Sequence, residues 1–160
     1  MSPVVSACLI TLLLASPAAR AADVQVTDAW ARATVPGQQV SGAYMQIEAG
    51  ADMRLVGVAS PAAVRVEVHE MRMDGDVMRM RKVATIDLPQ GKVVVLKPGG
   101  YHIMLMKAKK QLTPGDMVPI TLLFEGGDSL TVDFEVRNAD GGVSGGRKGM
   151  NKNGMHNMKD

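Results

Sequence analysis

The sequence has one cysteine, and this residue, Cys8, lies in an N-terminal segment with the features of an export signal. The rest of the chain therefore offers no disulfide, no thiolate nucleophile and no thiolate metal ligand. Aromatic residues are also scarce, with two Phe, two Tyr and one Trp in 160 residues. Neither sign of charge dominates, since 18 basic residues face 16 acidic ones. This balance argues against nucleic acid or an anionic membrane surface as the main partner.

The N-terminal segment, residues 1–21, contains no acidic residue and has an almost wholly apolar middle. It ends in Ala19-Arg20-Ala21, which has the A-x-A form of a cleavage site. Because the apolar run is too short to span a membrane, the layout predicts a signal peptide cleaved after Ala21. Cys8 follows Val5-Ser6-Ala7, which loosely resembles a lipoprotein cleavage box. Cleavage there would leave the apolar run on the mature protein, so lipidation is the weaker alternative.

Residues 22–137 alternate short strand-like runs with turn residues and show no amphipathic helix of normal length. The predicted strands are Val24–Trp30, Gly42–Glu48, Met53–Ala59, Ala63–Met73, Val77–Val83, Lys92–Leu96, His102–Met106, Pro119–Phe124 and Leu130–Val136. Regular short strands with frequent turns predict one all-β domain, an antiparallel sandwich or barrel. Residues 138–160 are rich in Gly, Asn and Lys without a periodic apolar face, which predicts a flexible tail.

Methionine is the residue in excess, at 13 positions, and several of these surround a predicted hairpin. Asp74-Gly75 is a strong two-residue turn signal, and a loop of these two residues pairs Met71 with Met78 and His69 with Met80. Side chains alternate along a strand, so one face of the hairpin carries an imidazole and four thioethers. The members of this face are His69, Met71, Met73, Met78 and Met80.

A second cluster lies in the predicted strand His102–Met106, where His102, Met104 and Met106 point to one side. Two segments thus each offer an imidazole beside a thioether. Such neutral, soft and borderline donors favour copper(I) over zinc, magnesium or calcium. A blue-copper electron-transfer site is excluded, because it requires a Cys ligand that the mature chain lacks.

Each of these features also has a plainer interpretation. A methionine stripe on a strand is usually core filler, and a single His is usually a satisfied polar or surface group. The chain could then be a structural or adhesion sandwich with incidental methionines. An enzyme, for instance a copper oxidase or reductase, is the weakest alternative, because the sequence offers no convincing acid–base pair, nucleophile–base arrangement or cofactor loop. We therefore predict a metal-binding protein that is not an enzyme.

The spacing of His69, Met80, His102 and Met104 resembles the H-x10-M-x21-H-x-M signature of the periplasmic PCuAC copper chaperones. The resemblance continues through Asp28–Arg32, Gly42–Met45 and Leu96–Met106, and covers essentially the whole mature domain. It implies a cupredoxin-like Greek-key barrel or sandwich whose four signature residues bind copper(I) at a solvent-accessible site.

The same resemblance implies a location in the periplasm, peripheral to the membrane at most. It also implies copper delivery to the CuA centre in subunit II of cytochrome c oxidase, alongside a Sco-type thiol chaperone. Periplasmic copper storage or resistance is the alternative within this class of protein.

Other methionines lie outside the four-residue signature. Met71, Met73, Met78 and Met106 are expected to pack around the site, with Met71 the best placed to assist. The tail carries a smaller cluster: Met150, Met155, His156 and Met158. Some members of the PCuAC family have Met- and His-containing C-terminal extensions linked to additional copper binding. The tail is therefore either a second site, for copper(I) or copper(II), or a solubilising extension.

Overall fold

The fold is known from a computed structural model that describes residues 23–138. The predicted signal peptide and the predicted tail, with its Met/His cluster, lie outside these residues. Ten β-strands form the described part: β1 (Val24–Arg32), β2 (Val40–Ala49), β3 (Met53–Ala59), β4 (Ala63–Asp74), β5 (Val77–Lys82), β6 (Ile86–Leu88), β7 (Val93–Leu96), β8 (Tyr101–Ala108), β9 (Met117–Phe124) and β10 (Ser129–Arg137). Residues 23–138 contain no helix, and hence none that could cross a membrane.

The strands form one connected sheet in the order β5-β4-β8-β2-β1-β10-β9-β3-β6. The first half of β2 pairs with β8, and its second half pairs with β7. All pairs are antiparallel except β1 with β10. Side chains from most of these strands meet in a single apolar core, including Met45, Ile103 and Phe134. The all-β, cupredoxin-like fold predicted from the sequence is confirmed.

The nine predicted strands are all present, and their ends differ from the prediction by at most two residues. The tenth, β6, was not predicted. It has three residues, too few for alternation to be recognised, although Ile86 and Leu88 are both buried against the core.

The predicted register of the β4–β5 hairpin is wrong by one residue on each strand. Asp74 pairs with Val77, so the two-residue loop is Gly75-Asp76 rather than Asp74-Gly75. Gly75 has a φ of 64°, which suits the first central position of a type II′ turn, where glycine is favoured. Met71 consequently pairs with Met80, Met73 with Met78, and His69 with Lys82. The predicted face is nevertheless correct. After the shift, odd-numbered residues of β4 still pair with even-numbered residues of β5, so the same side chains lie on the same face.

One face of the central strands points to the core and the other carries the predicted metal ligands. Val68 on β4 and its neighbour Ile103 on β8 are buried in the core. Alternation places His69 and His102, which also pair directly, on the opposite face. The candidate site therefore lies on the outer surface of β5, β4, β8 and β2.

Candidate metal site

A surface pocket of about 380 Å³ lies on this outer face. Three of the four signature residues line it, namely Met80, His102 and Met104, together with Met71. The other lining residues are Arg32, Gln38, Val40, Ser41, Gly42, Tyr44, Pro98 and Gly99. The pocket thus joins thioethers from three strands to one imidazole.

The fourth signature residue, His69, lies beside the pocket without lining it. It is directly opposite His102 in the β4–β8 ladder, and the two ring centroids are 6.1 Å apart. The structure therefore brings both predicted imidazoles together, although only one of them faces the pocket.

His102 is held by the turn that precedes its strand. The side chain is 4% exposed, and its Nδ1 lies 2.9 Å from the carbonyl oxygen of Gly100. A carbonyl can only accept, so Nδ1 carries the proton and Nε2 of the neutral ring keeps a free lone pair. The same carbonyl accepts the backbone N–H of Met71 over 3.1 Å, which ties β4 to this turn.

His69 is held by a carboxylate two residues earlier on the same face. Its Nε2 lies 3.0 Å from Oε2 of Glu67, while Oε1 of Glu67 accepts from Nζ of Lys82, also over 3.0 Å. These contacts, that of His69 first, lower the pKa of Glu67 from its ordinary value of 4.5. The ionised carboxylate accepts only, so His69 Nε2 carries the proton and Nδ1 keeps the lone pair. That Nδ1 is buried and has no hydrogen-bond partner among the described residues.

The methionines differ in environment. Met71 and Met104 are partly buried, whereas Met80, on the edge strand β5, is 47% exposed. Met106 lies outside the pocket, with its sulfur 3.7 Å from Nη2 of Arg65. Met73 and Met78 are largely exposed and do not line the pocket. Packing around the site was expected of Met71, Met73, Met78 and Met106, and of these four only Met71 lines the pocket.

Aromatic side chains form the wall behind His102. The Tyr44 ring lies 4.5 Å from that of Trp30 and 6.5 Å from that of His102, measured between centroids. Burial raises the pKa of the Tyr44 hydroxyl, an effect partly opposed by the nearby Arg32 guanidinium, which lies 5.7 Å from the ring centroid. A Cβ at Gly42 would lie 2.6 Å from the Tyr44 hydroxyl, so glycine is needed there for the ring to keep its position.

A bulge in β1 brings Trp30 to this wall. The β1–β2 register shifts between Thr27 and Trp30, and Asp28 in this interval has a φ of 48°. Its carboxylate accepts from Arg137 Nη1 over 2.7 Å, and this ion pair raises the pKa of Arg137. A bulge redirects the side chains that follow it, which here places Trp30 against Tyr44.

Comparison with known proteins assigns the chain to a family. Residues 24–136 match the family described as "Putative lipoprotein LpqE-like". The chain belongs to the LpqE-like family. A relative from Leifsonia xyli subsp. xyli, "Putative lipoprotein Lxx21020", is 30% identical over 127 residues, which cover 79% of this chain and 76% of the relative.

Solved structures with the same fold include PCuAC domains and a relative whose description names copper(I). The copper-bound PCuAC domain from PmoF2 is 27% identical, with a TM-score of 0.60 over 72% of this chain and 92% of that one. The solution structure of CuI-DR1885 from Deinococcus radiodurans is 30% identical, with a TM-score of 0.52 over 73% of this chain and 78% of that one.

Sequence reasoning did not find several residues that shape the site of this LpqE-like chain. Glu67 was missed, although its i, i+2 spacing to His69 on one strand was a usable signal. Trp30 and Tyr44 lie in segments that carried the family resemblance, but nothing local indicated that they meet. The backbone carbonyl of Gly100 has no signal in a sequence at all.

Proposed function

We propose that this protein binds copper(I) through His69, Met80, His102 and Met104, with Met71 assisting, and carries the ion between partners. The observation that supports this most is the hydrogen bonding of the two imidazoles. Each ring donates one N–H to an acceptor, Glu67 or the Gly100 carbonyl, which leaves the lone pair of its other nitrogen available. Histidine ligands in metal sites are held in this way by outer partners that set the tautomer and the ring orientation.

The donor set suits a soft monovalent ion. Thioethers are neutral and need no deprotonation before they bind a metal. In each neutral imidazole, the proton is on the nitrogen that donates the hydrogen bond, so the other nitrogen can bind the ion. His102 would bind through Nε2 and His69 through Nδ1. Within residues 23–138, Nδ1 of His69 is buried without a hydrogen-bond partner, a cost that a bound ion would remove.

The comparisons support copper as the cargo. The structural neighbours include a copper-bound PCuAC domain and a copper(I)-bound relative. By analogy, we propose export to the periplasm and delivery to the CuA centre of cytochrome c oxidase together with a Sco-type chaperone. Storage or resistance would use the same ligands and differ only in the absence of onward transfer.

A structural sandwich without metal function is the second candidate. It would explain methionines as filler, but filler methionines belong in the core, and here Met71, Met80 and Met104 line a surface pocket. It would also leave His69 Nδ1 buried and unsatisfied within residues 23–138, which destabilises the fold by about 1–3 kcal/mol.

A copper(I) competition titration with X-ray absorption tests the proposal. One copper(I) per chain should bind tightly, with mixed nitrogen and sulfur scattering. The copper(I) protein should then pass its ion to an apo CuA-domain acceptor. Absence of stoichiometric binding, or a shell without sulfur, would favour the structural sandwich. Tight binding without transfer to any acceptor would favour storage.

The tail is proposed as a separate, weaker copper site formed by Met150, Met155, His156 and Met158. The Gly-, Asn- and Lys-rich composition predicts ligands that must be ordered on binding, which lowers their affinity. Removal of residues 145–160 should therefore leave the tight equivalent intact and remove a weaker one. Loss of the tight equivalent would place a primary ligand in the tail.

A further inference from the structure

Two exposed methionines at the tip of the β4–β5 hairpin have no role in the site described above. Met73 is 60% exposed and Met78 is 49% exposed. They are direct cross-strand partners, and the next pair on the same face, towards the pocket, is Met71 with Met80. Four thioethers thus form two consecutive rungs that run from the hairpin tip to the pocket wall.

The hairpin ladder brings the two members of each rung close together. The N–H of Val83 donates to the carbonyl of Val68, so these two residues form a hydrogen-bonded pair. Antiparallel pairs alternate, and Met71–Met80 and Met73–Met78 therefore occupy non-hydrogen-bonded positions. Side chains at such positions approach each other most closely, with Cα atoms about 4.5 Å apart.

The two rungs are also within reach of each other. Residues two apart on a strand are separated by about 6.6 Å along its axis. Methionine has a long, unbranched and flexible side chain, so sulfurs from adjacent rungs can contact one ion between them. An ion held at the tip could thus acquire a new sulfur ligand before it loses an old one.

Packing does not explain the outer rung. Single exposed apolar residues are common, but here both members of a cross-strand pair are exposed and their nearest inner neighbour, Met80, is 47% exposed as well. The opposite face of the same hairpin carries charged side chains, with Arg72 paired to Arg79 and Glu70 to Arg81. The methionines of the β4–β5 hairpin thus all lie on one face, the face that continues into the pocket.

We propose that Met73 and Met78 form a second, weak copper(I) site that passes the ion to the pocket through Met71 and Met80. This proposal rests on the proposed function of the pocket. Two neutral thioethers select a soft ion and hold it less firmly than two thioethers with two imidazoles. Copper remains copper(I) throughout, and each step exchanges one sulfur ligand for another.

The test uses the full chain with methionine methyl groups labelled with carbon-13, and silver(I) as a redox-stable probe. The first equivalent should shift the methyl signals of Met80 and Met104, and further silver(I) should shift those of Met73 and Met78. Assignment by individual signals separates this site from the methionines of the tail. If Met73 and Met78 do not move up to several equivalents, the second site does not exist.

Kinetics test the hand-off. Met73→Leu with Met78→Leu is nearly volume-conserving at exposed positions, so the fold should be kept. Copper(I) uptake from a chromophoric copper(I) chelator should slow several-fold in this variant, while the affinity of the tight site stays unchanged. Met117, 55% exposed on β9, provides the matched control, and Met117→Leu should behave as wild type. Uptake at the wild-type rate in the double variant would overturn the relay.

The same data distinguish this proposal from the proposed function. Should the first silver(I) equivalent leave Met80 and Met104 unshifted, the pocket is not the metal site and the proposed function fails. Should they shift while Met73 and Met78 stay still, the pocket stands and only the relay is lost.

Discussion

The two halves of the candidate site are built differently. The half on β8 belongs to a central strand with β4 and β2 on its two sides, and His102 there is buried, tied to Gly100 and backed by Tyr44. The other half includes Met80 on β5, an edge strand whose six residues are all exposed. The β8 ligands thus lie on a strand with a neighbour on each side, whereas Met80 lies on a strand with a single neighbour.

This difference suits a carrier more than a permanent metal site. Ligands that are fixed before binding avoid an entropic cost and so contribute most to affinity. A ligand on an exposed edge can leave first, which opens a coordination position to an incoming donor. If the pocket binds copper(I) as proposed, the β8 half would retain the ion and Met80 would be the ligand exchanged during transfer.

The first prediction compares Met104→Leu with Met80→Leu, two nearly volume-conserving changes. Met104→Leu should lower copper(I) affinity by more than the ~10–100-fold that is typical when a hydrogen-bond partner of a ligand is changed, because it removes a ligand itself. Met80→Leu should cost less, since Met71 is directly opposite Met80 and can take its place. Competition titrations measure both. Equal losses of affinity in the two variants would mean that Met80 and Met104 contribute equally to copper(I) binding.

A second prediction concerns Glu67, which orients His69. Glu67→Gln should lower copper(I) affinity by about 10–100-fold, the usual cost of changing an outer partner of a histidine ligand. Glu70→Gln is the matched control, because Glu70 is on the other face of β4, opposite Arg81. The amide introduced by Glu67→Gln can accept from Nε2–H through its oxygen or donate to an unprotonated Nε2, so nitrogen-15 NMR of the apo protein should show a mixture of His69 tautomers in Glu67→Gln and a single one in Glu70→Gln. A copper(I) affinity that is unchanged in Glu67→Gln would remove Glu67 from this role.

These outcomes depend on features that the sequence predicts to different degrees. Alternation along β4, β5 and β8 was sufficient to put His69, Met71, Met80, His102 and Met104 on one surface. The hairpin register was not predictable from pattern alone, because an Asp-Gly-Asp stretch allows two neighbouring two-residue loops. The two loops differ in whether Gly75, which has a positive φ, is the first or the second loop residue. In the structure it is the first. The wall of the site depends on a bulge at Asp28 and on contacts between β1, β2 and β8, which no local pattern contains.

The third prediction tests the wall behind His102. Gly42→Ala places a methyl group against the Tyr44 hydroxyl, and the ring cannot move freely because it packs on Trp30. Overpacking of this kind typically costs about 1–3 kcal/mol of unfolding free energy, measurable by denaturant titration of the apo protein. Copper(I) affinity should fall by less than in Met104→Leu, because all ligands remain. Gly57→Ala, on β3 and in contact with Leu123 instead, should spare affinity even if it lowers stability.

The smallest expected effect is on the acid stability of the apo protein. The pKa of Glu67 is lowered in the folded state by hydrogen bonds from His69 and then Lys82. A carboxylate with a lowered folded-state pKa stabilises the fold at pH values above its unfolded pKa, here about 4.5, and loses that contribution as pH falls through the lower folded value. Glu67→Gln should therefore lose less unfolding free energy than wild type between about pH 5 and pH 3. Urea titrations at the two pH values measure the difference. Because exposed Lys82 contributes one of these contacts, the difference should shrink as salt screens it. A Glu67→Gln variant whose acid loss equals that of wild type would mean that the Glu67 contacts do not stabilise the fold, and that their effect is confined to the orientation of His69.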